Sequence, residues 1–266
     1  MDDSAGDATP RRIETLAYGP HPDQVADVTL PVRATGAVPL VMLLHGGFWR
    51  AAHDRLHVGV VADALAYEGY AVANVEYRRV GIGGGWPATF TDVAQAADTL
   101  PDMIARSRPG RVDLDRIVYL GHSAGGQLAV WAALRDRLPQ DAPGHTAVPP
   151  RVAGVVALAP VVDLAGTYEL SDGDSPVAAL LGGGPGEVPD RYAAADPAAL
   201  GASRAPVVVV HGDQDEVLPV DLSRRYHASC GAKLIEVPGA GHFDLIDPRS
   251  AAWLSVLDAL RLLTEG

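Results

Sequence analysis

Residues 117–136 read IVYLGHSAGGQLAVWAALRD, and the join at Ser123 decides the fold. Ile117 to Leu120 is a continuous apolar run, which suits a strand buried on both faces. From Ala124 onward the stretch reads as a helix. A polar serine between Gly121 and Gly125 fits neither a continued strand nor an ordinary helix cap, which needs only one small polar residue. Gly121-His122-Ser123-Ala124-Gly125 matches G-x-S-x-G, and the match follows an apolar strand directly and opens a helix. That context is a tight strand–turn–helix that lifts the serine side chain above the sheet. The glycines are explained by crowding, because a Cβ on either side of the turn would clash. The helix N-terminus beneath favours negative charge developing nearby.

Outward from this point the chain alternates strand and helix. Apolar runs at 25–32, 40–45, 71–77, 116–121, 152–160, 206–212 and 233–239 read as strands, most of them continuously apolar. Helical stretches lie at 56–69, 90–107 (with Pro101 inside, expected to kink or divide it), 123–137, 220–231 and 249–265. This pattern predicts an α/β fold with a doubly wound, mostly parallel sheet, and the run at 25–32 as an antiparallel edge. Residues 1–15 read as a loose tail and 16–266 as a single domain. Residues 161–205, rich in Gly, Pro, Asp and Ala, are too long for a routine connection. They are expected to form a small cap over the carboxyl edge of the sheet, with short helices at 175–181 and 190–200.

Composition bounds the function. The chain has 266 residues, 48% hydrophobic and 20% charged, as in a soluble protein with a substantial core. A formal net charge of −12 argues against nucleic acid and against a polybasic membrane contact. The acidic N-terminus has no apolar signal region and no run is long enough to span a membrane, so a cytoplasmic location is expected. The lone Cys230 cannot form an internal disulfide and reads as a structural thiol at a helix end.

A serine nucleophile needs a base and an orienting acid. His242, in VPGAGHFD just after the last strand, has the placement for the base; His145, His211 and His227 lie in a loop, a strand and a helix. The strand at 206–212 runs into HGDQDEVLP, whose spacing favours Asp215 as the acid, with Asp213 and Asp163 as alternatives. The stretch LVMLLHGGFWR ends a strand in a glycine turn whose backbone N–H groups can serve an oxyanion. Gly47 and Phe48 would donate there, together with Ala124. Phe48, Trp49, Trp86, Tyr168 and Phe243 are candidates to line an aromatic substrate pocket. His53 and His57 form a pair at i, i+4 without an evident third ligand, so no metal is expected. Gly83–Gly85 and Gly182–Gly184 are loops, not dinucleotide sites.

With HGGFW, GHSAGG, HGDQDEVLP and GAGH in this order, the chain resembles the α/β-hydrolase superfamily from about 25 to 265. HGGFW and VEYRRVGIGGGWPATFTDV are similar to kynurenine formamidases (arylformamidases) and related small esterases. The resemblance implies a Ser123–Asp215–His242 triad, oxyanion donors Gly47, Phe48 and Ala124, and no cofactor. The implied substrate is a small molecule with an acyl or formyl group, most sharply N-formylkynurenine in tryptophan catabolism. A short-chain carboxylesterase and a non-catalytic ligand-binding protein on the same fold are the alternatives. A homodimer is an admitted assembly.

Overall fold

A computed structural model describes residues 13–148, 151–171 and 173–265. Among the described residues eight strands form one sheet in the order β1-β2-β4-β3-β5-β6-β7-β8. The strands are β1 (Glu14–Ala17), β2 (Val25–Thr29), β3 (Val38–Leu44), β4 (Ala71–Val75), β5 (Val112–His122), β6 (Gly154–Leu158), β7 (Val207–Gly212) and β8 (Lys233–Val237). From β4 to β8 neighbouring strands are parallel, whereas β2 is antiparallel to both β1 and β4. The segment at 25–32 is therefore not the edge: β1 covers it. The run ETLA is too short and too alternating in exposure to stand out in the sequence. Of the tail expected over 1–15, residues 1–12 lie outside the described residues, and Glu14 and Thr15 belong to β1.

Nine α-helices are found among the described residues: α1 (Gly59–Tyr67), α2 (Ala88–Ser107), α3 (Ala124–Ala133), α4 (Leu164–Glu169), α5 (Pro176–Leu181), α6 (Pro189–Ala195), α7 (Pro197–Leu200), α8 (Val220–Cys230) and α9 (Trp253–Thr264). Helix α2 continues through Pro101 as one element. Alternate residues of each strand feed two cores. Leu40, Met42 and Leu44 of β3 face one side, packing with Phe90 and Leu100 of α2, Trp131 of α3 and Tyr226 of α8. Val41 and Leu43 face the other, packing with Val61 and Leu65 of α1 and Val256 and Leu260 of α9. Both faces are covered, which is why the strands read as continuous apolar runs.

The chain leaves β3 toward α1 on one face and leaves β5 toward α3 on the other. Such a reversal opens a crevice at the carboxyl ends of the two strands. The turn after β3, Ser123 after β5, Asp215 after β7 and His242 after β8 all emerge along this edge. The segment after β6 holds α4 to α7.

Candidate active site

Ser123 sits at φ 56°, ψ −116°, between β5 and α3. A non-glycine residue there costs on the order of 1–3 kcal/mol, so the surroundings must hold it. Its amide donates to Leu158 O (2.8 Å) on β6 and its carbonyl accepts from the Gln127 amide (3.1 Å). The flanking glycines have steric causes. A Cβ on Gly121 would stand 2.1 Å from Gly125 O, and one on Gly125 would stand 2.2 Å from Leu44 O and 2.4 Å from His45 O. The serine is 4% exposed and opens onto two cavities.

His242 Nδ1–H donates to Asp215 Oδ2 at 2.6 Å, which leaves Nε2 to act as a base. His242 and Ser123 line one narrow cavity of about 60 Å³ with Gly47, Phe48, His122 and Phe243. Both Asp215 oxygens accept hydrogen bonds, Oδ2 from side chains and Oδ1 from backbone amides. The amides of Val217 and Leu218 donate to Oδ1 (2.8 Å each), and His211 Nε2 lies 3.0 Å from Oδ2. Burial alone would raise the Asp215 pKa, but the hydrogen bonds from His211, His242 and Leu218 outweigh it and hold the group well below the usual carboxylate range.

Of the alternative acids, Asp213 is an exposed turn former whose Oδ1 accepts from the Gly239 amide (2.7 Å). Asp163 caps α4 through the Gly166 amide (2.7 Å) and meets Arg225. Neither is bonded to His242. The other histidines are also accounted for. His227 Nδ1 meets Ala232 O, and His145 Nδ1 meets Leu138 O.

His122, the variable position ahead of the serine, supports His242 from behind. Its Nε2–H donates to the carbonyl of His242 (3.0 Å), and the two rings lie 4.6 Å apart. Burial, reinforced by the His242 charge, pushes its pKa down to about 3. It stays a neutral ring and adds no positive charge beside the base.

The turn after β3 places Gly47, Phe48 and Trp49 at φ 100°, 54° and 57°. Three consecutive left-handed residues persist because their surroundings lock them. Trp49 is buried and its indole N–H donates to Gln127 Oε1 (3.2 Å); Arg50 N donates to Gly47 O (3.0 Å), and Val80 N to Trp49 O (2.8 Å). Beneath the turn, His45 Nε2 meets Glu76 Oε1 (2.9 Å) and Nδ1 meets Gly46 O (2.8 Å), with the Tyr77 ring stacked at 4.3 Å. Burial raises the Glu76 pKa, but His45, the Arg55 amide and Arg79 more than offset this and hold it below its ordinary value. Phe48 lines both cavities that Ser123 opens onto, and Ala124 follows the serine as the first residue of α3.

A second cavity of about 310 Å³ borders Ser123 on another side. It is lined by Phe48, Trp49, Val161, Val177 and Leu218, with Thr167, Leu170 and Ser171 of the α4 region as part of its wall. Three of the five aromatic candidates border the two cavities: Phe48, Trp49 and Phe243. Trp86 does not. Its ring packs on Phe90, at 5.2 Å, and its amide is bonded to Leu180 O. Tyr168 also turns away, packing edge-on to Tyr192 and close over Gly184. Helical spacing put Tyr168 one residue off the face of α4 that reaches the cavity, through Thr167, Leu170 and Ser171. The role of His122 had a signal, as the residue inside G-x-S-x-G. The contacts of His211 with Asp215 and of Gln127 with Trp49 had none. His53 and His57 lie 5.4 Å apart at the cavity rim, and no group of three metal-binding side chains occurs among the described residues. No helix among the described residues is long and apolar enough to cross a membrane.

The family model BD-FAE matches residues 26–229. Esterase LipC of Mycobacterium tuberculosis is 29% identical over 255 residues, covering 87% of this chain and 60% of LipC. An uncharacterised protein of the same organism is 31% identical over 240 residues, covering 88% of this chain and 73% of its own length. The chain thus spans less than two thirds of LipC. Among solved structures, a truncated carbohydrate esterase from gut microbiota superposes with a TM-score of 0.79 at 23% identity, over 95% of this chain and 97% of that one. An esterase of Thermogutta terrifontis superposes with a TM-score of 0.72 at 20% identity, over 95% and 92%. The sheet order, the elbow and the matched segment agree: the chain has the α/β-hydrolase fold and belongs to the BD-FAE family.

Proposed function

We propose that the protein hydrolyses carboxylic esters with a short to medium, mainly apolar acyl group. It is a serine hydrolase of the carboxylesterase type. His242 Nε2 takes the proton of Ser123 Oγ as the oxygen attacks the ester carbonyl. The Phe48 and Ala124 amides receive the oxyanion, and one such donor contributes on the order of 3 kcal/mol in the transition state. The imidazolium, held by Asp215, passes its proton to the departing alcohol. Water activated by His242 then resolves the acyl-enzyme, returning the proton to Ser123 and releasing the acid.

One observation supports this substrate class over a formamide: the cavity of about 310 Å³ that borders Ser123 without including His242. The leaving group must depart on the side of the acid that protonates it, which is the narrow cavity shared with His242. The acyl group remaining on Ser123 then occupies the larger space. Its volume is at the low end of the roughly 300–1,000 Å³ of ligand pockets. A formyl group would leave it unfilled. The second reading, a formamidase acting on N-formylkynurenine, is favoured by HGGFW and by the exposed Phe243, whose ring stands 5.2 Å from His242 on the leaving-group side.

The test is hydrolysis of p-nitrophenyl acetate and butyrate beside N-formyl-L-kynurenine, with Ser123→Ala as control. Two added methylenes buried at about 0.8 kcal/mol each predict a roughly tenfold higher kcat/KM for butyrate than for acetate. Preference for the formamide would replace this reading with the second one. Equal activity of Ser123→Ala would remove both.

A further inference from the structure

Asp215 is served by two histidines, and the mechanism uses only one of them. His211, on β7, is fully buried, as is Ser223 on α8. His211 Nε2 faces two acceptors, Asp215 Oδ2 and Leu218 O, each at 3.0 Å. A nitrogen between a carboxylate and a carbonyl must carry the proton. In the neutral ring Nδ1 is then the acceptor, and Ser223 Oγ–H donates to it at 2.7 Å. A continuous chain of hydrogen bonds runs from Ser223 through His211 and Asp215 to His242. Ser223 is itself no nucleophile, because no substrate reaches it.

We propose that His211, braced by Ser223, is a positioning residue that sets how strongly Asp215 holds the proton of His242. The inference rests on the assignment of Asp215 as the acid of the triad. Two donors converge on one oxygen, Oδ2, while Oδ1 is occupied by two amides. An ionised carboxylate offers about four acceptor sites, and all four are engaged. The His211 donor spreads the negative charge that His242 would otherwise feel alone. Without it, Oδ2 pulls harder on His242 Nδ1–H and stabilises the imidazolium. The base then stays protonated to a higher pH. The titratable groups facing His211 are Asp215 in the turn after β7 and Glu236, its register partner on β8. Through Asp215 it also senses His242 and His122. Helix α8 presents the uncharged Ser223.

The experiment measures kcat, KM and the pH profile of kcat/KM on p-nitrophenyl butyrate for the wild type, His211→Leu, His211→Gln, Ser223→Ala and Asp215→Asn, with thermal melts alongside. His211→Leu is expected to raise the midpoint of the acid limb by roughly half to one pH unit. It should lower kcat by about tenfold, with KM within about twofold. Gln places its amide N–H where Nε2 stood, so His211→Gln is expected to return the midpoint to the wild-type value. Ser223→Ala should shift it the same way as His211→Leu, by less. A purely structural role would lower Tm and kcat without moving the midpoint. An unmoved midpoint in folded His211→Leu, or a His211→Gln as shifted as the leucine variant, overturns the proposal. If His211→Leu does not fold, Ser223→Ala decides by the same midpoint. Asp215→Asn separates the underlying assignment: full activity there removes Asp215 from the triad and the proposal with it. An inactive Asp215→Asn beside an unmoved His211→Leu removes the proposal alone.

Discussion

Gly125 has no room for a methyl group, and the obstacle is backbone rather than a side chain that can turn away. Its Cβ would stand 2.2 Å from Leu44 O and 2.4 Å from His45 O, at the end of β3. Helix α3 approaches the end of β3 this closely, beside Ser123. The glycine therefore sets a distance between two elements, and an added methyl pushes Ala124 and the turn after β3 apart. Gly125→Ala is expected to cost on the order of 3 kcal/mol. That corresponds to a fall in Tm of roughly 6–12 °C for a chain of this size. The folded fraction should also lose kcat more than it gains KM, since an oxyanion is bound only in the transition state. A thermal melt and steady-state kinetics at low temperature measure the two effects separately. An alanine variant with wild-type melt and turnover would contradict this account of the motif.

Helix α3 is the element that joins Ser123 to its surroundings. Gln127, one turn after Ser123, accepts from the Trp49 indole with Oε1 (3.2 Å) and donates to Ala195 O with Nε2 (2.9 Å). One turn further, the Trp131 indole donates to Ala194 O (2.9 Å). The helix thus ties the turn after β3 to α6. Gln127→Leu keeps the volume and strands two buried groups, the Trp49 N–H and the Ala195 carbonyl. At about 1–3 kcal/mol for each unsatisfied group, denaturant titration is expected to show a loss of roughly 2–6 kcal/mol. The loss of the Trp49 anchor should also lower kcat. These ties were not legible in the sequence, whereas the elbow was. Ser123, its glycines and the strand before it are fixed by local sterics that repeat wherever a strand turns sharply into a helix. Gln127, His211 and Ser223 act through partners 68, 4 and 12 residues away, and spacing along one helix or strand says nothing about such partners. The same limit explains Trp86 and Tyr168, whose aromatic character is used in packing. The segment after β6 stood out by composition, but only two of its helical stretches did, because α4 follows β6 with just an Asp163 cap to mark it.

At the scale of the whole molecule, the sheet divides the apolar side chains into two cores, and the polar site occupies one edge between them. Placing several titratable groups there links folding to pH, and the groups do not all act in the same direction. His122 ordinarily titrates near 6.5 and, buried, titrates at about 3 in the folded chain. Between those values the unfolded chain binds the extra proton and the folded chain does not. Its contribution to stability is complete above about pH 6.5 and is lost progressively as the pH falls toward 3. Asp215, held low, adds a loss of the same sign below the ordinary carboxylate range. Asp196 works the other way: burial lifts it from 3.8 to about 6, despite hydrogen bonds from the Leu164, Ala165 and Ala198 amides, so its contribution is lost as pH rises through that window. A wild-type curve mixes these with other shifted groups such as Glu76, and a variant isolates one. His122→Gln keeps a donor for the His242 carbonyl and removes the titrating ring. Measured by urea unfolding from pH 7 down to pH 4, the stability of the wild type relative to His122→Gln is expected to decline as the pH falls, with a limiting slope of about 1.4 kcal/mol per pH unit. A constant difference across that range would mean that His122 takes up its proton equally in both states. The neutral ring behind His242 would then be lost from the account of the site.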